Sequence, residues 1–137
     1  MICAKNKILT IKGYVALGCL LQETELFYGK VHEIYFAQVE SNKLKKISFM
    51  DAVGNKKTVT LDDNHEFISP EGNFKAGQAN IGKKIFYYNC KTKRDEIRSI
   101  CAITPFIRQE TLFCVYPIIT EDKYIVEGAL LRNVGFQ

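Results

Sequence analysis

Two side chains in this sequence have the types needed to act on a carbonyl: Cys3, almost at the N-terminus, and His65, inside the segment Val59-Thr60-Leu61-Asp62-Asp63-Asn64-His65-Glu66-Phe67. A free thiol with a pKa of about 8.5 is already about a few per cent thiolate at neutral pH and is an intrinsically strong nucleophile. An imidazole titrating near neutrality is well suited to hand a proton to a departing amine. Together the two suggest acyl transfer from an amide, with the chain's own peptide bond as the expected substrate. Asp62, in the same segment, adds a carboxylate that beside an imidazole favours its protonated form.

Each of these residues also has an ordinary structural reading. A free cysteine is often a small core hydrophobe. His65 reads equally as a loop histidine capping a turn, and Asp62 and Asp63 as turn formers. His32 alternates with Ile34 on a predicted strand and reads as structural. Cys19, Cys90, Cys101 and Cys114 read as core thiols, because no CxxC or Cys/His pair has zinc-site spacing. Cys114 is also a candidate second nucleophile. Neither a metal nor a cofactor is expected.

The elements that must position these groups are short and extended. Period-two alternation with β-branched and aromatic enrichment recurs at residues 7–11, 29–39, 44–49, 57–61, 84–88, 97–103, 111–116 and 124–126. Turn residues fall between these runs, at Ser41-Asn42, Gly54-Asn55, Pro70-Glu71-Gly72-Asn73 and residues 89–93, so hairpins are expected to dominate. Helical turns are expected only at residues 74–79, where Gly77 weakens the pattern, and at 15–23. A faint internal echo links Gly29-Lys30-Val31 with Gly82-Lys83-Lys84, and Ile47 with Ile100, at one common offset, which suggests two related β subunits.

Composition bounds the function classes. At 137 residues, 47% hydrophobic and 25% charged, the chain suits one domain over residues 1–137 with a real core, 1–2 and 134–137 reading as flanking stubs. The apolar run at 14–21 falls well short of the roughly 20 residues of a spanning helix, and the N-terminus lacks a signal-peptide layout, so no membrane partner is expected. Five cysteines at irregular spacing argue against a disulfide framework and favour reduced thiols in a cytoplasmic setting. The net charge of +4 comes from lysine clusters flanked by turn residues, which read as solvated loops; no nucleic-acid partner is expected, and the chain is expected to be a monomer.

Three blocks together resemble the Hint domain family, shared by inteins and hedgehog autoprocessing domains. They are the N-terminal cysteine leading into Ile8-Leu9-Thr10 and Gly13; Thr58 to Phe67 followed by Phe74-Lys75-Ala76 and Gly82-Lys83; and Val115-Tyr116-Pro117-Ile118-Ile119-Thr120 through Tyr124 to Asn133. The resemblance implies an all-β, horseshoe-like fold of two pseudo-symmetric halves with little helix. It also implies an activity: Cys3 attacks the carbonyl of Ile2, exchanging an amide for a thioester, while His65 protonates the leaving amine and Asp62 supports it. Asn133 stands where an intein's cyclising asparagine would be. The substrate implied is the chain's own flanking polypeptide.

Several positions depart from the family pattern. Asp62 replaces a threonine, Pro117 an aspartate, and Arg132 the histidine before the terminal asparagine. Val134, which follows Asn133, carries no nucleophile, so ligation of flanks is disfavoured. N-terminal cleavage is then the principal expected activity, with water or a small thiol as acyl acceptor. Two rival readings remain: a degenerate, non-catalytic Hint-like β module that binds polypeptide, and a Cys-His hydrolase acting in trans.

Overall fold

The computed structural model, which describes residues 1–132, has fourteen strands, nine of them overlapping the period-two runs: β1 (Ile2–Cys3), β2 (Lys7–Thr10), β3 (Gly13–Ala16), β4 (Val31–Glu40), β5 (Leu44–Met50), β6 (Lys56–Asp62), β7 (Glu66–Phe67), β8 (Phe74–Lys75), β9 (Lys84–Asn89), β10 (Arg94–Ser99), β11 (Ala102–Thr104), β12 (Thr111–Ile119), β13 (Lys123–Val126) and β14 (Ala129–Arg132). The expected helical turns are single 3₁₀ turns at Leu17–Cys19 and Ala76–Gln78, with a third at Ser41–Lys43; there is no α-helix among the described residues.

The strands form two sheets. The first runs β11-β5-β6-β1-β12-β4; the second runs β10-β9-β14-β13-β2-β3, with β7 beside β14 and β8 beside β7. Local hairpins build much of both, namely β2–β3, β5–β6, β9–β10 and β13–β14. The long-range pairings do the positioning. β1 lies between β6 and β12, so the front of the chain is an inner strand of the first sheet.

One expected strand, 97–103, is two. β10 pairs with β9 in the second sheet and β11 with β5 in the first, and the chain changes sheets at Ile100 and Cys101. Both backbone N–H groups are satisfied across the exchange: Ile100 N donates to Lys83 O at 2.9 Å and Cys101 N to Ser48 O at 2.8 Å. The internal echo holds locally, since Gly29 and Gly82 each stand just before β4 and β9. It fails in pairing, because β9 and β10 form a hairpin whereas β4 pairs with β12 and β5 with β6.

β1 is held from several directions. Ile2, 0% exposed, belongs to a core cluster with Ile8, Leu61, Phe67, Val115 and Tyr124, and burial of such a side chain is worth about 1.5–3 kcal/mol. Buried Asn6 then pins the crossing from β1 into β2: its Nδ2 donates to Thr58 O at 2.8 Å, and Thr60 N donates to its Oδ1 at 2.9 Å.

The β13–β14 turn requires a glycine. Gly128 has φ +94°, and a Cβ there would lie 2.3 Å from the Tyr87 ring. Gly128→Ala is expected to cost about 2 kcal/mol or more in urea denaturation, through backbone strain and displacement of Tyr87. A change within about 0.5 kcal/mol would mean that the turn is looser than described.

Candidate functional site

β6 ends on Asp62, and the short turn that follows it carries Asp63, Asn64 and His65. Asn64 N donates to Asp62 Oδ1 at 3.2 Å, an Asx-type contact that folds the turn back on itself. The Ala76–Gln78 turn braces it from outside. Ala76 N donates to His65 O at 2.7 Å and Gly77 N to Asp63 O at 3.2 Å. A Cβ at Gly77 would lie 3.0 Å from the Asp63 Cβ, so a side chain at residue 77 would push Asp63 back by a few tenths of an ångström.

The imidazole of His65 is 2% exposed. It is wedged between Tyr116, at 5.9 Å between ring centroids, and Tyr124, edge-on at 6.5 Å. Its Nδ1 faces two partners: Asp62 Oδ1 at 3.1 Å and the amino nitrogen of Met1 at 3.2 Å. A second carboxylate oxygen closes the triangle, for the Met1 amine donates to Asp62 Oδ2 at 3.0 Å. The backbone repeats the grip, as Asp62 N donates to Met1 O at 3.0 Å.

A single ring nitrogen cannot serve both partners in the same way at once. With a proton on Nδ1 it donates to the Asp62 carboxylate; without one it accepts from the Met1 amine. The ring nitrogen and the nitrogen of residue 1 lie within hydrogen-bond distance, the separation that a direct proton transfer requires. Electrostatics favours charge on the carboxylate. Burial alone would raise the Asp62 pKa, but the His65 hydrogen bond and the charges of the Met1 amine and His65 hold the carboxyl well below its ordinary range. For the Met1 amine the balance is opposite: burial lowers its pKa despite the attraction of Asp62.

Cys3 lies elsewhere. It pairs across the sheet with Cys114, and both thiols are free. The sequence points to the Ile2–Cys3 bond, yet the ring holds the nitrogen of Met1. In an extended strand the nitrogen of Cys3 lies about 7 Å further on, outside hydrogen-bond reach of an imidazole seated at Met1. Asp62 and His65 are thus brought together, and Cys3 is set apart from them along β1. Arg132 pairs with Glu66 at 3.7 Å, and Asn133 lies outside the described residues. The expectation of four core thiols is corrected: Cys114 is buried, but Cys19, Cys90 and Cys101 are exposed, Cys19 in a 3₁₀ turn, Cys90 in the turn after β9 and Cys101 in the link between β10 and β11.

Three contributors escape a reading of residue types. Met1 carries no reactive group and enters through its backbone nitrogen; Tyr116 and Tyr124 enter by shape. The alternation of Ile2 with Cys3 was the available signal, because a buried Ile2 forces Met1 and Cys3 onto the opposite face of β1. A cleft of about 510 Å³, lined by Met1, Gln38, Glu40, Asp62 and Asp63 among others, opens beside the clamped nitrogen.

The clamp should register in stability. A carboxyl depressed in the folded state stabilises above its unfolded pKa of about 3.9, and that contribution disappears as pH falls through the folded value. Asp62→Asn is therefore expected to lower stability by about 1–2 kcal/mol at pH 7 and by progressively less below pH of about 4, measured by urea denaturation. An equal gap at pH 7 and pH 3 would contradict the assignment.

By sequence the chain matches no protein-family profile and no curated protein. By structure it is similar to solved inteins. The DnaB intein of Synechocystis sp. PCC 6803 superposes with a TM-score of 0.72 at 16% identity, covering 98% of this chain and 98% of that one. The gp41-1 intein gives 0.68 at 14% identity, with 96% and 97% covered. The MchDnaB-1 intein gives 0.67 at 14% identity, with 97% and 100% covered. Two β sheets with no α-helix among the described residues, matched along nearly the full length of these chains, make this the Hint fold of inteins.

Proposed function

We propose that this chain is a self-processing module that breaks a peptide bond of its own polypeptide at the front of β1, through a thioester. The observation that carries the reading is the clamp: a buried imidazole and a carboxylate held ionised both meet the backbone nitrogen of residue 1. An amide does not release its nitrogen as an anion, so the position of the acid selects the bond. The bond best served is the one joining Met1 to a residue before it, in a precursor that continues upstream.

A sulfur attacks the carbonyl of that preceding residue, a thioester forms, and the carbon–nitrogen bond breaks as His65 delivers a proton to the Met1 amine. Water or a small thiol then takes the acyl group. We take Cys114, paired with Cys3 on β12, as the sulfur, although burial first, and then Cys3 and Asp62, push its pKa up to about 11. A thiol so raised holds about 10⁻⁴ of thiolate at neutral pH, which makes the step slow and suits a single turnover. The route read from the sequence, an N-to-S shift on Cys3 that breaks Ile2–Cys3, has the more open thiol but lacks the acid at its nitrogen.

A second reading has its own observation. Met1 stands at the clamped position without a nucleophile of its own, and the neighbouring thiol is buried and protonated. A Hint fold in that state serves as a non-catalytic module that holds polypeptide.

Mass spectrometry of a precursor extended upstream of Met1, incubated with and without added thiol, separates these readings. Release is expected at the bond before Met1, lost in Cys114→Ala, kept in Cys3→Ala, and slowed by about 10²–10⁴-fold in His65→Ala. A break at Ile2–Cys3 abolished by Cys3→Ala would restore the N-to-S shift. No release between pH 6 and pH 9 would leave the non-catalytic module.

A further inference from the structure

Cys3 and Cys114 face one another across neighbouring antiparallel strands, in register, in the interior of the first sheet. The hydrogen bond from Ala4 N to Phe113 O, at 2.9 Å, makes Ala4 and Phe113 a hydrogen-bonded pair. Alternation along the ladder then makes Cys3 and Cys114 a non-hydrogen-bonded pair, the kind whose side chains approach most closely. Such pairs have Cα atoms about 4.5 Å apart and Cβ atoms about 4.5 Å apart. A disulfide spans Cα distances of about 4.4–6.8 Å and Cβ distances of about 3.5–4.5 Å, so the bond needs only a small closure of the two strands. Both thiols are free, and Cys3 is among the groups that raise the Cys114 pKa.

We propose that Cys3 and Cys114 form a reversible cross-strand disulfide, an oxidisable site that ties β1 to β12 and removes both sulfurs from acyl chemistry. Cys3, half-buried, is the entry point. Its thiolate attacks a small disulfide such as oxidised glutathione, giving a mixed disulfide and releasing one glutathione thiol. Cys114 then gives its proton to solvent and attacks the Cys3 sulfur, releasing the second glutathione. Two protein thiols are oxidised and one glutathione disulfide is reduced. The second step uses the buried sulfur, so ring closure speeds up as pH rises, by about tenfold per unit while Cys114 stays mainly protonated. The consequence for activity rests on the self-processing reading; the bond itself does not.

The test uses the variant Cys19→Ser/Cys90→Ser/Cys101→Ser, which removes the three exposed thiols. After oxidised glutathione, its intact mass is expected to fall by about 2 Da, with the Cys3 and Cys114 peptides joined and separated again by dithiothreitol. A stable glutathione adduct on Cys3 beside a free Cys114, or two unreacted thiols, overturns the proposal. Wild-type protein run alongside should show the same joined peptides. Cleavage of the upstream-extended precursor is followed in parallel: loss on oxidation and return on reduction is expected, and undiminished cleavage with the bond in place overturns the switch. A reduced precursor that never cleaves overturns the self-processing reading while the mass readout still decides the disulfide.

Discussion

The structure turns on the three-way contact between the Met1 nitrogen, the Asp62 carboxylate and His65 Nδ1. A carboxylate and an imidazole withdrawn from water carry a desolvation cost of several kcal/mol, offset only where charge and hydrogen bonds meet in good geometry. That geometry needs β1 inside the first sheet, the turn after β6 folded by Asp62 and Asn64, and the Ala76–Gln78 turn behind it. Each support is modest. Together they fix one backbone nitrogen against one imidazole, the arrangement that general acid catalysis on an amide requires.

The two sheets divide the work. Inner strands of the first sheet, β6, β1 and β12, bring together residues far apart in sequence: Asp62 with Met1, and Cys114 with Cys3. From the second sheet, β13 supplies Tyr124, and β12 of the first supplies Tyr116; the two rings fill the space around the imidazole. Asn6 ties the crossing between the sheets to β6, so displacement of β1 would break hydrogen bonds to Thr58 and Thr60. Chemistry and fold share the same strand.

Much of the fold was legible in the sequence because alternation is a local signal: 44–49, 57–61 and 84–88 become β5, β6 and β9 with ends moved by a residue or so. The missed break at Ile100 and Cys101 was not local, since a chain crossing between sheets keeps its alternation on either side. β14 was missed because Ala129-Leu130-Leu131-Arg132 is a nearly continuous apolar run, with three residues buried and no alternating pattern. At the site, His65 and Asp62 were legible as residue types at a recognisable spacing. Their partner was not. Residue type pointed to the sulfur of Cys3, whereas the fold presents a backbone nitrogen at Met1, a group every residue but proline shares and no composition can mark.

The most direct measurement is a titration of the Met1 α-amine by ¹⁵N NMR, in protein labelled at its two methionines, Met1 and Met50. A clamped amine titrates below its ordinary value of 8.0, and lower still in Asp62→Asn, where the attraction of the carboxylate is gone. An amine that titrates at its ordinary value in both proteins would mean that the nitrogen is not held in the clamp.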